Sequence, residues 1–538
     1  MDIGTISLVL LIGMLALLAI GMPLGFASGF LAVLVMVMKF EPALLTNPFS
    51  FGDGILTSNF GTGPLNILAQ RMYGLTTDYV LISVPLFILM ATLLERSGIA
   101  RDMYSSLSVW LNRTRGGIAI VTSLMAVVMA AMSGIIGGEV VLLGLIALPQ
   151  MLRLGYDQNL AIGTICASGS LGTMIPPSIV LIFYGLITET SIQALFKGAF
   201  VPGFILASCY ILYIIIRTQL NPALAPLPEP SDDDMDGKDK LVYGTALLSM
   251  ITILFFSVTL VRAGFLIFFD RVTPDTSMLT SGQMMTRGII IAALLAYLMI
   301  VIKPRRVYEA WQVGKGLVAP LLVVGVVLGS IYGGITGITE AAGMGTIAVL
   351  VMIILRREFS LQLVREALMR TFKSTGTIIW VTFGATALAG AYTIAGGPTY
   401  VANLIVGYDL PTLGVLSVMM IIFLFLGAFM DWVGIVLLVM PVFLPIVLKL
   451  PLEEIGVFGP LAGDPRFLSV WFGILFTVNM QVSFLSPPFG PAAFYLKSVA
   501  PPHISLPDIF RGFLPFICIQ IFVLMLILFF PELTMFFR

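Results

Sequence analysis

The chain has 538 residues, 59% hydrophobic and only 10% charged, with 28 basic and 28 acidic side chains and a formal net charge of zero. Soluble domains carry about a quarter charged residues, so this composition, with a mean hydropathy of +1.06, excludes a soluble globular protein and describes an integral membrane protein. Zero net charge argues against a nucleic-acid partner. The three cysteines (Cys166, Cys209, Cys518) all lie in apolar stretches, which argues against a disulfide framework.

Met1-Asp2 opens the first apolar run with no Lys or Arg before Lys39, the reverse of a secretory leader, so the N-terminus is expected outside the cytoplasm. Spanning segments are predicted at 5–21, 23–40, 80–95, 160–187, 198–217, 241–261, 286–302, 317–334, 337–355, 374–395, 470–496 and 512–531. Two further apolar stretches, 116–152 and 411–449, carry small or polar residues at their midpoints, "MSGIIGGEV" (132–140) and "LGAFMDWVG" (426–434). Each reads as a re-entrant helical hairpin, whose unpaired tip backbone must lie in protein or in a water-filled cavity. The expected architecture is all-α, a polytopic membrane protein with about 12 spanning helices plus two hairpins. With the N-terminus outside, Lys and Arg favour the cytoplasmic loops by about two to one, as the positive-inside rule requires. Segments 96–115 and 358–373 read as amphipathic helices on that face. Trp110, Trp311 and Trp471 suit interfacial belts, and His503 suits a surface loop.

The segment "ASGSLGTMIPPSIVLIFYG" (167–185) breaks a helix deep in an apolar run, and the break occurs twice. "IPPSIVLIFY" (175–184) returns as "SPPFGPAAFY" (486–495), and "LFKGAFVPG" (195–203) as "IFRGFLPF" (509–516). Glu139 and Pro149 keep the separation of Asp431 and Pro441. Residues 1–217 are therefore expected to form one repeat, with hairpin 116–152 and broken helix 160–187. Residues 312–538 form the second, with hairpin 411–449 and broken helix 470–496. Between them, 218–311 holds the hydrophilic linker "EPSDDDMDGKDK" (229–240) and a two-helix insertion. The first hairpin is expected to enter from the cytoplasm and the second from outside, which makes the repeats inverted, an architecture of secondary carriers. A broken helix exposes peptide oxygens, the ligands a hard cation such as sodium wants.

At these residues the chain resembles the large membrane subunit of the tripartite ATP-independent periplasmic (TRAP) transporters. The motifs are Ser133-Gly134, Gly155-Tyr156-Asp157, Ala167–Gly185, "GITE" (337–340), "FMD" (429–431), "MPVFLP" (440–445), "WFGIL" (471–475) and "SPPFG" (486–490). Two departures stand out: the 218–311 insertion, and the first tip "SGIIGGEV", where a second Ser and Ala-rich residues are commoner, so that Glu139 is unexpected. The resemblance implies sodium-gradient-driven uptake of a small organic acid by an elevator motion in the bacterial inner membrane, with 96–115 and 358–373 as tethering arms. It implies a periplasmic substrate-binding protein and a small four-helix membrane subunit, expected here as a separate chain. Sodium ions are the coupling ions, and no organic cofactor is expected.

Carried over residue by residue, the resemblance places a first sodium site at Ser133, Gly172, Ile175 and Pro177, and a second at Thr339, Gly427, Ser483 and Ser486. Substrate is expected to touch Ser133, Ser168, Ser170 and Thr173, because anionic groups suit helix N-termini and hydroxyls. No Arg or Lys is predicted in that core. Glu139 and Asp431, just past the two tips, admit two roles, coupling of ions or capping of a helix N-terminus. Glu189 and Glu340 read as caps. Two other functions compete: a stand-alone sodium- or proton-coupled carboxylate carrier without a binding protein, and an intramembrane enzyme using Glu139 and Asp431. Against the enzyme, no H-E-x-x-H, G-x-S-x-G or phosphate loop occurs.

Overall fold

The structure is a computed structural model that describes all residues except 43–44, 46–63, 135–136, 229–234, 269–280, 407–410, 457–464, 489 and 537–538. The regular elements among the described residues are all helical, and nine of the helices are long and apolar enough to cross a membrane. The protein is a polytopic helical membrane protein.

Helices α1 (Ile3–Ala19) and α2 (Leu24–Phe40) come first, α1 started by Asp2, whose carboxylate accepts the Gly4 N–H at 3.1 Å. After α3 (Pro64–Thr76), α4 (Ser83–Arg96) leads into the amphipathic α5 (Ile99–Leu111), which buries Ile99, Met103 and Tyr104. The first hairpin is α6 (Gly117–Ser133) and α7 (Gly138–Arg153). Asp157 caps α8 (Gln158–Gly169), which runs into a single 3-10 turn at Ser170–Thr173 and stops before the cis Pro176–Pro177 bond. Ser178 starts α9 (Ile179–Thr188) by accepting the Leu181 N–H. Next are α10 (Ile192–Leu220), then α11 (Gly237–Phe268) and α12 (Ser281–Ala296) of the insertion, whose Leu254, Phe255, Val258, Ile289 and Leu295 are exposed in the manner of lipid-facing side chains.

The second half holds α13 (Pro304–Tyr332), α14 (Ile338–Leu355), α15 (Leu361–Ala395) and α16 (Gly397–Val406), then the second hairpin, α17 (Thr412–Gly427) and α18 (Trp432–Val447). The second broken helix is α19 (Pro465–Leu485) and α20 (Pro491–Lys497), with Pro487–Pro488 also cis. A Ser505–Asp508 capping box begins α21 (Leu506–Phe529). The main core joins both hairpins, both broken helices, α10 and α21, while α1, α2, α3 and α15 share a smaller one.

Three expectations change. The amphipathic segment 358–373 and the span 374–395 are one helix, α15, from Leu361 on, because no Pro interrupts the ladder, which runs through Gly376, and Ser360 caps the whole by accepting the Leu363 N–H at 3.1 Å. The predicted span 317–334 begins at Pro304. Trp471 belongs to no interfacial belt: it is fully buried, and its Nε1–H donates to the Ile527 carbonyl at 3.0 Å. His503 is exposed and the three cysteines are free, as expected.

The first hairpin tip lies on the first break. The Ile179 N–H donates to the Gly134 carbonyl at 3.3 Å. Gly134 has φ +58°, and a Cβ there would lie 2.3 Å from the Pro177 carbonyl oxygen. Gly334 has nearly the same φ, +60°, but open space around it. Gly334→Ala is therefore expected to cost the left-handed strain alone, about 1–2 kcal/mol. Gly134→Ala is expected to cost clearly more and lower the thermal unfolding midpoint in detergent further; equal midpoints for the two variants would show that the tip does not bear on the break.

Candidate functional site

Ser133 ends α6 and Glu139 sits in the first turn of α7, so the tip between them places a hydroxyl opposite a carboxylate. The Ser133 hydroxyl donates to Glu139 Oε1, whereas Oε2 has no hydrogen-bond partner among the described residues, and the side chain is 3% exposed. Both carboxylate oxygens lie 3.0 Å from the position a Cβ on Gly172 would occupy. A larger residue at 172 would displace the carboxylate from the break. The donors gathered here are all oxygen, the set a hard cation takes, and an orphaned buried carboxylate oxygen fits a cationic ligand.

Two cavities meet at this tip. The first, about 200 Å³, is bounded by Ser133 and Glu139, by Thr92 and Glu95 of α4, and by Arg370 and Ser374 of α15. The second, about 340 Å³, lies between Gly134 of the first tip and Gly427 and Asp431 of the second, with Ser483 of α19. Ser374 and Tyr495 line both. Tyr495 stands between the tips, its ring against Gly137, where a Cβ would come within 2.8 Å. Arg370 is held by Glu95 at 2.9 Å, and this pair also borders a wider basin of about 880 Å³ that carries Arg101 and Arg153.

The second tip is built differently from the first. Asp431 is the N-cap of α18, its Oδ1 accepting the Gly434 N–H at 3.1 Å. Gly427 touches α19, where a Cβ would lie 2.2 Å from Ser483 Oγ. Asn479 Nδ2 donates to the Met420 carbonyl at 2.9 Å and ties the arm α17 to the same helix. Of the two carboxylates left open between capping and coupling, Asp431 caps and Glu139 does not.

The structure joins some predicted residues and separates others. Ser133 and Gly172 meet at the Glu139 carboxylate, and Pro177 lies against Gly134 of the same tip, whereas Ile175 packs on Gly203 of α10. Gly427 meets Ser483 at the second tip, and the Ser486 hydroxyl donates to the Val482 carbonyl at 2.7 Å. Thr339 does not join them: on α14 it donates to the Tyr79 carbonyl at 3.3 Å and borders a separate cavity with Glu189 and Glu340. Ser168, Ser170 and Thr173 are fully buried and line none of the described cavities. Their hydroxyls are used within the fold, Ser168 with Ser123 at 2.8 Å, Ser170 on the Ala167 carbonyl at 2.7 Å, Thr173 on the Ser170 carbonyl at 2.8 Å. Of the two glutamates read as caps, Glu189 is the C-cap residue of α9, with φ +53°, whereas Glu340 lies in the first turn of α14 and accepts from the Tyr79 hydroxyl at 3.0 Å. The core is also not free of basic residues, since Arg370 reaches the first cavity. Arg370, Ser374 and Glu95 fell at the ends of predicted segments, where nothing marks them; Tyr495 was visible as the Phe-Tyr pair of the second break.

The sequence profile of the tripartite ATP-independent periplasmic transporter, DctM component, matches residues 11–533. The chain belongs to this family. It is the large membrane subunit of a TRAP transporter, a multi-pass protein of the bacterial inner membrane and not an enzyme. It is 25% identical over 481 residues to the C4-dicarboxylate TRAP transporter large permease protein DctM of Pseudomonas aeruginosa, covering 88% of this chain and 90% of that one. It is 23% identical to the sialic acid TRAP transporter large permease protein SiaM of Vibrio cholerae, covering 97% and 96%. The fold resembles the YdaH transporter of Alcanivorax borkumensis, with a TM-score of 0.50 at 13% identity over 93% of this chain and 97% of that one. Membership of a tripartite family implies a small membrane subunit and a periplasmic binding protein as partners.

If the Asp431 carboxylate acts as a cap, Asp431→Ala is expected to destabilise the TRAP permease by about 1 kcal/mol, while Asp431→Asn, still a good N-cap, stays near wild type. Thermal unfolding of the purified variants checks this, and an Asn variant as unstable as the Ala one would reject it.

Proposed function

We propose that this permease takes up a small organic acid, delivered by a periplasmic binding protein, at the expense of a sodium gradient. The observation that carries the reading is the meeting of both hairpin tips and both helix breaks around two adjoining cavities that share Ser374 and Tyr495. Broken helices at a repeat interface are the usual place for substrate and coupling ions in carriers. Two sodium sites are proposed, one at Ser133, Gly172, Ile175 and Pro177, the other at Gly427, Ser483 and Ser486.

The lining is compatible with an organic acid: Ser374 and Tyr495 offer hydroxyls to both cavities, and Arg370, paired with Glu95 in this state, is the basic group a carboxylate would compete for. Relatives named for C4-dicarboxylate and sialic acid transport agree with an organic acid. Hairpins and broken helices would move as one body, carrying the site past α4, α13, α14 and α15, an elevator motion with 218–311 outside both repeats.

Reconstituted with its small membrane subunit and binding protein in proteoliposomes, the permease is expected to accumulate substrate only under an inward sodium gradient. Uptake that survives collapse of the gradient would overturn the coupling, and uptake without the binding protein would favour a stand-alone carrier. Ser133→Ala is expected to raise the sodium concentration for half-maximal uptake about tenfold, the loss of one contact to a charged group. An unchanged sodium dependence would remove Ser133 from the site.

A further inference from the structure

The two tips carry carboxylates at matching places in the chain, and the two are used in opposite ways. Asp431 turns back on its own helix and accepts the Gly434 N–H. Glu139 turns away from its helix: the N-cap Gly137 offers no side chain, and Glu139 reaches across the tip to Ser133 and the break at Gly172. One of its oxygens has the Ser133 hydroxyl, and the other has no hydrogen-bond partner among the described residues. The side chain is 3% exposed. The basic group of the same cavity, Arg370, is engaged by Glu95 at 2.9 Å.

A buried carboxylate with one idle oxygen and, among the described residues, no cationic side chain paired with it is costly in a membrane protein. The start of α7 supplies partial positive charge, but none of its N–H groups bonds this carboxylate. What completes the site is a proton or a bound cation, and the oxygen donors gathered at the tip suit a hard cation. We infer that Glu139 is a direct ligand of an alkali cation at the first hairpin tip, so that this site binds sodium on a charged donor set and the second tip binds it on a neutral one. The inference rests on the sodium-coupled reading above and deepens it.

A charged site that becomes neutral on loading differs in kind from a neutral site that becomes positive. The first holds its ion more tightly and favours small cations, because a carboxylate has a stronger field than peptide or hydroxyl oxygens. At the second tip the donors are uncharged, and the carboxylate beside them, Asp431, lines the same cavity while capping its own helix. Sodium at the first tip thus offsets Glu139.

The test is sodium-dependent thermal stabilisation of the permease purified with its small membrane subunit, titrated with sodium chloride against choline chloride at constant ionic strength. Wild type is expected to be stabilised by sodium and by lithium. Glu139→Gln is expected to need about tenfold or more sodium for the same shift, and in choline alone to be at least as stable as wild type, because the unpaired charge is gone. Should the Gln variant not fold, Glu139→Asp keeps the charge on a shorter arm and is expected to alter the lithium-to-sodium preference. A Gln variant with wild-type sodium dependence, or an Asp variant with unaltered preference, overturns the inference and leaves the rest of the coupling intact. A wild type that sodium does not stabilise overturns the sodium reading itself.

Discussion

A peptide group that has lost its helical partner cannot face hydrocarbon, and this governs the centre of the molecule. Each half interrupts an apolar helix at a Pro-Pro pair, and each break needs cover. In the first half the cover is the hairpin tip, with the Ile179 N–H on the Gly134 carbonyl and the tip backbone against Pro177. Only glycine allows that approach, because a side chain at 134 would occupy the space of the carbonyl it packs on. In the second half Gly427 comes equally close to Ser483, just ahead of the second break. The cover is incomplete where the tips face one another, and there the cavities lie.

The surrounding helices supply what the breaks cannot. α15 runs unbroken from Leu361 to Ala395, and its length lets one element bind α2 in the small core and present Arg370, Ser374 and Thr377 to the cavities. Two ion pairs hold its first turns to α4, Arg96 with Glu366 and Arg370 with Glu95, and Arg356 at the end of α14 pairs with Asp102 of α5 and with Glu358. Surface pairs of this kind add little stability singly, but here they join α4 to α15 and α5 to α14 at one end.

The two halves share an order of elements without sharing their chemistry. Tyr184 is buried with its hydroxyl on the Ser469 carbonyl, whereas its counterpart Tyr495 stands between two cavities. Asp431 starts a helix, and Glu139 leaves its helix for the break. A repeat preserves the places where backbone is interrupted, because those depend on glycine and proline. It leaves side chains free to diverge, because each half meets a different set of neighbours.

Hydropathy, the paired Pro-Pro motifs and the small residues at the hairpin midpoints were enough to read a polytopic helical protein, two hairpins, two broken helices and the transporter family from the chain. Apolar length and helix-breaking residues are local properties, and a bilayer leaves few ways to satisfy them. Side-chain roles were less legible. Ser168, Ser170 and Thr173 looked like substrate ligands because they flank the break, yet their hydroxyls are consumed inside the core. Thr339 shared a motif with its family but stands on a different helix from the second tip. Arg370 looked like part of a surface arm. In each case the deciding fact was which element packs alongside, and only the tertiary structure holds that, because a hydroxyl or a guanidinium acts on whatever the fold brings within about 3 Å of it.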